Sequence, residues 1–144
     1  TEQGYYRQKP FPGSPFEKIF YRTGDIVRLD EHGEFDFLGR KDRQVKVRGF
    51  RVELDEVEAA LTEDLTVAEA AVYILKNKDG EAQIEAAVIL TGRGLTDEAT
   101  LLANVGQRVP VYAVPTLIHI RESFPRTGSG KIDRRTLQAM AGQE

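Results

Sequence analysis

Residues 44–61 read QVKVRGFRVELDEVEAAL, and their apolar period changes partway along the stretch. In the first part, two valines alternate with polar residues, which is the two-residue period of a half-buried strand. A Gly-Phe pair at residues 49–50 turns the chain, and residues 51–53 begin a return strand. From Leu54 on, the apolar residues fall on one face of a helix. The stretch therefore predicts a β-hairpin that leads directly into an α-helix.

The beginning of this helix carries acidic residues in a capping pattern. Asp55 is followed three residues later by Glu58, the spacing of a capping box. The predicted buried face consists of Leu54, Val57, Ala60 and Leu61. We therefore expect Asp55 and Glu58 to cap the helix while the apolar face packs on a core.

The same alternation of strand pairs and helices continues towards the carboxy terminus. Residues 72–76 and 82–90 are β-rich runs on either side of Asn77-Lys78-Asp79-Gly80, a strong hairpin signal. A helix is predicted to start at residues 96–98, and Pro110 is predicted to stop it.

A short strand and a last helix complete the pattern. Residues 115–120 predict the strand, and Asp133 is predicted to cap a helix that buries Leu137 and Met140. From about residue 43 the predicted order is ββ-α-ββ-α-β-α. This order predicts an α+β domain in which helices pack on a small mixed sheet.

The upstream part of the chain has a different character. Residues 25–30 and 34–38 predict one more hairpin, whereas residues 1–18 contain three prolines and predict an irregular loop. Residues 1–41 have too little apolar periodicity for a core of their own, so we expect them to be the end of a large N-terminal domain. Residues 42–144 would form a separate small domain, with the boundary near Asp42.

Composition excludes several classes of function. There is no cysteine and there are only two histidines, so disulfides, thiolate zinc sites and cysteine nucleophiles are excluded and no metal site is predicted. No apolar run approaches the roughly 20 residues of a membrane span. We expect a cytoplasmic protein that does not interact with membranes.

Charge is strongly segregated along the chain. Residues 40–51 are basic and residues 53–69 are acidic, although the net charge is only −3. A second basic cluster includes Lys131, Arg134 and Arg135. Nucleic-acid binding is disfavoured by the acidic neighbour segment and by the lack of interleaved aromatic residues. Arg134 and Arg135 lie in the first turn of the last predicted helix, so either an anionic partner or solvent must stabilise them.

Three strings carry the signs of chemistry. Residues 21–25, YRTGD, place a carboxylate after a glycine turn, where it suits the paired hydroxyls of a ribose or simply binds its own turn. Residues 39–58, GRKDRQVKVRGFRVELDEVE, form the long central string, and residues 128–134, GSGKIDR, form the third string, which starts in a predicted flexible loop at residues 127–130. In this order and spacing, the three strings resemble the adenylate-forming superfamily, which includes acyl-CoA synthetases, luciferases and the adenylation domains of nonribosomal peptide synthetases.

The resemblance implies a role for each of six residues. It assigns Asp25 to the ribose hydroxyls of the nucleotide, Arg40 to nucleotide contact, Arg51 to the phosphate in the thioester-forming state, Asp42 to the hinge of a mobile lid, Gly49 to the pantetheine tunnel and Lys131 to catalysis of adenylation. The chemistry agrees, because a carboxylate that attacks the α-phosphate of ATP concentrates negative charge. An ammonium group in a water-excluded site offsets that charge.

The resemblance also implies cofactors and partners. ATP with Mg²⁺ would be bound mainly by the N-terminal core domain, so these 144 residues alone are expected to be inactive. The acceptor is expected to be the phosphopantetheine of a carrier protein, because acyl-CoA synthetases more often have proline near Leu54. CoA remains an alternative acceptor, because peptide synthetases more often have asparagine at the position of Ser129. A non-catalytic module that docks a carrier protein or partner subunit is a further alternative.

Overall fold

The computed structural model describes residues 4–143, and the chain divides between Asp42 and Arg43 into two compact units. The division lies beside the boundary expected from the sequence. The assignment of residues 1–41 to a larger domain and of residues 42–144 to a mobile lid stays a prediction.

The first unit consists of two antiparallel hairpins. Strand β1 (Tyr5–Gln8) pairs with β2 (Lys18–Tyr21), and strand β3 (Asp25–Leu29) pairs with β4 (Phe35–Arg40). The second hairpin confirms the one predicted over residues 25–38.

Strand β1 contradicts the irregular loop predicted for residues 1–18, of which residues 1–3 lie outside the described residues. Aromatic pairs across the strands explain the difference. The rings of Tyr5 and Tyr21 lie 4.9 Å apart and those of Tyr6 and Phe20 lie 5.6 Å apart. Such cross-strand pairs stabilise a hairpin, and the prolines fall in the connection between its strands.

The β3–β4 hairpin exposes an apolar face. Val27 pairs with Phe37 and Leu29 pairs with Phe35 across the two strands. These four side chains are 46–73% exposed. Apolar patches of this kind normally mark an interaction site, so this face is suited to packing against another protein surface.

The second unit begins with the hairpin and helix that the opening stretch predicts. Strand β5 (Gln44–Val47) pairs with β6 (Phe50–Glu53), and helix α1 (Leu54–Thr62) follows at once. The turn is formed by Arg48 and Gly49, one residue earlier than predicted, and both have positive φ, 49° and 84°. Two successive residues with positive φ form the turn type that matches the twist of a hairpin.

Helix α1 does not begin with the predicted capping box. Its N-cap is Glu53, whose side chain accepts a hydrogen bond from the Asp55 amide at 3.3 Å. Glu58 accepts instead from the guanidinium groups of Arg43 and Arg134. Charged donors bind a carboxylate more strongly than a backbone amide does, so the tertiary contact displaces the local cap.

A three-stranded sheet forms the centre of the second unit. Strand β7 (Val67–Lys76) pairs antiparallel with β8 (Ala82–Leu90), and β8 pairs parallel with β9 (Leu117–Ile120), which confirms a mixed sheet. Strand β7 starts five residues before the predicted run. Its first residues are rich in alanine and glutamate, which are poor strand formers, and their pairing with β8 makes them a strand.

Helices cover both faces of this sheet. Helices α1 and α2 (Glu98–Gly106) pack on one face, together with the β5–β6 hairpin, around alternate residues such as Val72, Ala86 and Val88. Helix α3 (Arg134–Ala141) packs on the other face, around Ala71, Tyr73 and Ala87. A short 3-10 turn (Val111–Ala113) connects α2 to β9. The α+β fold and the predicted element order are therefore confirmed.

Helix α3 differs from its prediction in one buried position. Asp133 is the N-cap, as predicted, and its side chain accepts from the Thr136 amide at 3.0 Å. Leu137 is buried, but Met140 is 43% exposed, and Ala141 is buried instead. Ala141 lies about 40° around the helix from Leu137, whereas Met140 lies about 60° away on the other side. This short helix buries only a narrow stripe.

In the part of the chain that the structure describes, no helix combines the length and the apolar character needed to span a bilayer.

Candidate functional site

In the first unit, the guanidinium of Arg40 joins two predicted site residues. Its Nε and Nη2 donate to both carboxylate oxygens of Asp42, at 2.7 and 2.9 Å. Its Nη1 donates to Oδ1 of Asp25 at 2.8 Å, and Nη2 also donates to the Thr23 carbonyl at 2.9 Å. The structure thus brings together Asp25, Arg40 and Asp42 at the open end of the β3–β4 hairpin, where Asp25 begins β3 and is paired with Arg40, the last residue of β4.

Gly24 makes room for this cluster. Its φ is +80°, and a Cβ built there would lie 3.0 Å from Nη2 of Arg40. The Lys41 amide donates to the Gly24 carbonyl at 2.7 Å, which holds the ends of the hairpin together. A residue with a side chain would be strained in backbone conformation and would crowd the guanidinium.

The carboxylates of Asp42 and Asp25 set the electrostatics of the cluster. The hydrogen bonds that Arg40 donates to the Asp42 carboxylate are the main reason that the pKa of Arg40 lies above its ordinary value. Bidentate pairing fixes the plane of the guanidinium as well as its position. Asp25 shares only one of its oxygens with Arg40 in this arrangement, so the second oxygen is geometrically able to accept from a ligand hydroxyl.

In the second unit, Lys131 ends a tight turn that is closed at its base. The Gly130 amide donates to the Thr127 carbonyl at 2.9 Å, and the Thr127 amide donates to the Lys131 carbonyl at 2.8 Å. Arg126 and Ile132 form an antiparallel bridge below the turn. Arg126 is itself held by Glu69 of β7, with Nη2 at 2.7 Å from both carboxylate oxygens. The backbone of the loop therefore has a defined path.

The side chain of Lys131 is exposed, as are residues 126–130 before it. Among the residues that the structure describes, none forms a salt bridge with Lys131. The glycine-rich tip is not packed into the interior of the second unit. The ammonium group is free to project outward from a loop whose ends are fixed.

Gly49 and Arg51 lie on the β5–β6 hairpin of the same unit. Gly49 is exposed at the turn, and a Cβ built there would have no atom within 4 Å. Phe50 beside it stacks on Tyr112 with ring centroids 4.4 Å apart and ring planes at 5°, which anchors the turn. Arg51 donates from Nε to the side-chain oxygen of Gln44. The structure shows no hydrogen bond or ion pair between these residues and Lys131 within the described part of the chain.

The sequence did not single out Glu58 as an ionic centre. Its side chain is only 14% exposed. Oε2 accepts from Arg43 Nη1 at 2.9 Å, from the Val72 amide at 3.0 Å and from Arg134 Nε at 3.2 Å, and Oε1 accepts from Arg134 Nη2. The segregated basic and acidic segments were the sequence signal that could have indicated ion pairs, but only the tertiary structure determines which charges pair.

The electrostatics of Glu58 follow from these contacts. Burial by itself would raise the pKa of Glu58, but the hydrogen bonds from Arg134, the Val72 amide and Arg43 outweigh it and hold the pKa below its ordinary value. The same hydrogen bond raises the pKa of Arg134. Glu58 is thus the acidic neighbour that stabilises Arg134 at the start of α3, whereas Arg135 is exposed.

No metal centre is formed by the residues that the structure describes. Among residues 4–143, no three histidine, aspartate or glutamate side chains are grouped so that they could hold an ion. Asp25 and Asp42 share their cluster with a guanidinium, which disfavours a cation.

One protein family matches most of the second unit. The family described as "AMP-binding enzyme C-terminal domain" matches residues 56–131. The match includes helix α1 from residue 56 on, the three-stranded sheet, helix α2 and the loop up to Lys131.

Two curated relatives have the same level of identity. The delta-poly-L-ornithine synthetase of Acinetobacter baumannii (strain AB307-0294) is 44% identical over 134 residues, 92% of this chain and 10% of the relative. The L-allo-isoleucine:holo-[CmaA peptidyl-carrier protein] ligase of Pseudomonas savastanoi pv. glycinea is 44% identical over 123 residues, 85% of this chain and 21% of the relative. The chain therefore spans only 10% and 21% of the length of these two relatives.

A solved structure has the same fold. The amide bond synthetase McbA from Marinactinospora thermotolerans superposes with a TM-score of 0.71 and 28% identity, over 90% of this chain and 25% of that chain.

Proposed function

Because this chain belongs to the family of AMP-binding enzyme C-terminal domains, we propose that it is the carboxy-terminal part of an ATP-dependent ligase. That ligase activates a carboxylic acid, either an amino acid or an aryl or acyl acid, as its adenylate. It then transfers the acyl group to the phosphopantetheine thiol of a carrier protein. The exposed Lys131 on a base-anchored, glycine-rich turn is the observation that carries the proposal.

Lys131 is proposed to act in the adenylation step. ATP supplies the electrophilic α-phosphorus, which the carboxylate of the acid attacks. Both reactants are anions, so a mobile ammonium close to them stabilises the charge that develops as they meet. The fixed base of the 127–131 turn restricts where the ammonium can go, which lowers the entropy lost when it is positioned.

The Asp25–Arg40–Asp42 cluster is proposed to serve the nucleotide and the hinge. Asp25 would accept from the ribose hydroxyls, and Arg40 would contact the nucleotide from the same side. Asp42 would act as the hinge, because it is the last residue before the division of the chain. Its bidentate contact with Arg40 would stabilise one conformation of the hinge, whose φ and ψ angles must change when the lid rotates.

The second half-reaction is proposed to use the β5–β6 hairpin. Gly49 has open space where a Cβ would be, so its backbone could lie against a narrow pantetheine chain. Arg51 would contact phosphate in this state. One relative is a ligase whose name specifies a peptidyl-carrier protein, and this favours a carrier protein as the partner, with CoA as the competing acceptor.

The exposed apolar face of the β3–β4 hairpin supports a larger protein. Val27, Leu29, Phe35 and Phe37 form a surface that would be buried by an N-terminal adenylation core domain. That domain would supply the acid pocket and most of the ATP and Mg²⁺ site. We therefore expect the 144-residue chain alone to give no ATP–pyrophosphate exchange, and measurable exchange by this chain would contradict the expectation.

The central test is Lys131→Ala in the complete ligase. We expect adenylation, measured as pyrophosphate exchange, to fall by about 100-fold or more, the loss typical of one key electrostatic group. Lys78→Ala is the matched control, because Lys78 is also an exposed lysine in a glycine-containing turn. Equal activity of Lys131→Ala and Lys78→Ala would refute the catalytic role and favour a docking module.

The acceptor is tested separately. The complete ligase is offered its acid, ATP and either a holo-carrier protein or CoA, and the thioester formed on each is measured. We expect loading of the carrier protein to dominate. Preference for CoA would identify an acyl-CoA synthetase instead.

A further inference from the structure

Glu58 collects contacts from three separate parts of the second unit, although the proposed chemistry gives it no task. Arg43 is the first residue of that unit, the Val72 amide belongs to β7, and Arg134 lies in the first turn of α3. Arg43 also donates to Asp55 at 2.7 Å and to the Val72 carbonyl. The carboxylate is thus the shared acceptor of a nearly enclosed ionic network.

This network borders on both ends of the proposed adenylation machinery. Arg43 directly follows Asp42 in the sequence, and Arg134 follows Lys131 by three residues. Between Lys131 and Arg134 the backbone has little freedom, because the Asp133 amide donates to the Pro125 carbonyl at 2.8 Å. The backbone at Arg134 is therefore linked, through Asp133 and Pro125, to the closed base of the turn that carries Lys131.

We propose that Glu58 is a positioning residue for adenylation, which rests on the proposed function of Lys131. By holding Arg134 and Arg43 on one carboxylate, Glu58 fixes the start of α3, and with it the Lys131 turn, relative to the segment that follows the hinge. Lys131 is assigned to adenylation only. The effect of Glu58 is accordingly confined to that half-reaction.

A carboxylate is required at this position for two reasons. Its two oxygens accept from four donors at once, whereas the amide of a glutamine offers one acceptor oxygen and points an NH₂ group at a guanidinium. Without its negative charge, two arginines face each other in a partly buried site. Arg134 then leaves the position that closes the network.

The test compares the two half-reactions in the complete ligase. For Glu58→Gln, we expect the single-turnover rate of adenylation to fall about tenfold or more, since small displacements of a catalytic group have effects of this size. We expect the transfer of the acyl group from preformed acyl-adenylate to the thiol to be unchanged. Glu85→Gln is the matched control, because Glu85 is a carboxylate of the same unit, 13% exposed, paired with His119 at 2.9 Å. It should leave the ratio of the two rates as it is.

Arg134 provides a second route to the same result. Arg134→Lys keeps the charge but loses the two-pronged contact, and it should show the same selective loss even if Glu58→Gln does not fold. When both variants fold, the double variant should be no slower in adenylation than the slower single variant, because both changes break one contact.

The outcomes separate the inference from the function on which it rests. Loss of both half-reactions to the same extent in Glu58→Gln or Arg134→Lys, or no loss of adenylation in either, overturns the positioning role. If Lys131→Ala also leaves adenylation intact, the proposed function itself fails. If Lys131→Ala abolishes adenylation while both positioning variants remain normal, only the inference about Glu58 fails.

Discussion

Truncation of Leu137 to alanine tests how helix α3 is attached to the sheet. Leu137 is 1% exposed and packs in a cluster with Ala71, Ala87 and Phe124. We expect Leu137→Ala to lower the free energy of unfolding by about 3–4 kcal/mol, within the range measured for buried leucines. Met140→Ala, on the same helix, is expected to lower it by less than about 1 kcal/mol, because Met140 is 43% exposed.

The magnitude follows from what surrounds the side chain. Leucine has three carbon atoms more than alanine, and each buried carbon group contributes about 0.8 kcal/mol. A cavity term adds to this loss when neighbours cannot close the gap. Two neighbours of Leu137 are alanines of β7 and β8, both 0% exposed, whose methyl groups are fixed by the sheet backbone. They cannot fill the space, so the loss should lie in the middle of the range or above.

Urea denaturation followed by circular dichroism measures the change. The slope of the free energy against urea should stay the same for all variants, and only the midpoint should move. By heat, Leu137→Ala should melt at least about 10 °C below the parent. The reasoning is refuted if Leu137→Ala loses less than about 1 kcal/mol, or if Met140→Ala loses as much as Leu137→Ala.

Three further perturbations test local features. Because the pKa of Glu58 is below its ordinary value in the folded protein, its charge stabilises the fold above the unfolded-state pKa, and this contribution disappears as the pH falls through the lowered folded value. The difference in urea midpoint between the parent and Glu58→Gln should therefore shrink from pH 6 towards pH 3. A difference that stays constant over this range would contradict the prediction. Arg48→Asn should raise the free energy of unfolding by about 0.5–1 kcal/mol, because Arg48 is exposed with a φ of 49° and asparagine followed by glycine suits this turn. A melting temperature below that of the parent would argue against backbone strain at Arg48. Gly24→Ala should lower the melting temperature and disturb the Arg40 contacts, because φ is +80° and the added Cβ would lie 3.0 Å from Nη2 of Arg40. The control Gly33→Ala has the same φ but open space around the Cβ, so it should lower the melting temperature only through backbone strain.

The sequence predicted most of the elements because their signals are local. The period change at Leu54, the Asn77–Gly80 turn and the Asp133 cap each lie within a few residues of the element that they define, and all three are present in the structure. The three motifs that carry the resemblance are likewise short, continuous stretches of sequence. Local signals also predicted the α+β order, because strand pairs joined by short turns leave few alternatives.

Predictions from short stretches of sequence were wrong where segments far apart in the chain interact. Glu58 has the spacing of a helix cap, but it accepts from Arg43 and Arg134, and Arg134 is 76 residues away along the chain. Strand β1 was missed because its residues become a strand through aromatic rings on β2. In both cases the partner is invisible to a short window of sequence.

The sequence by itself determined the period of each element, the turns between them and the identity of the residues proposed for chemistry. Only the tertiary structure decided that Arg40 binds Asp25 and Asp42 together, that Glu58 joins the start of α3 to Arg43, and that Met140 lies outside the core. The physical reason is range. Turn and cap preferences act over a few residues, whereas ion pairs and packing select their partners only after the chain has brought distant segments together.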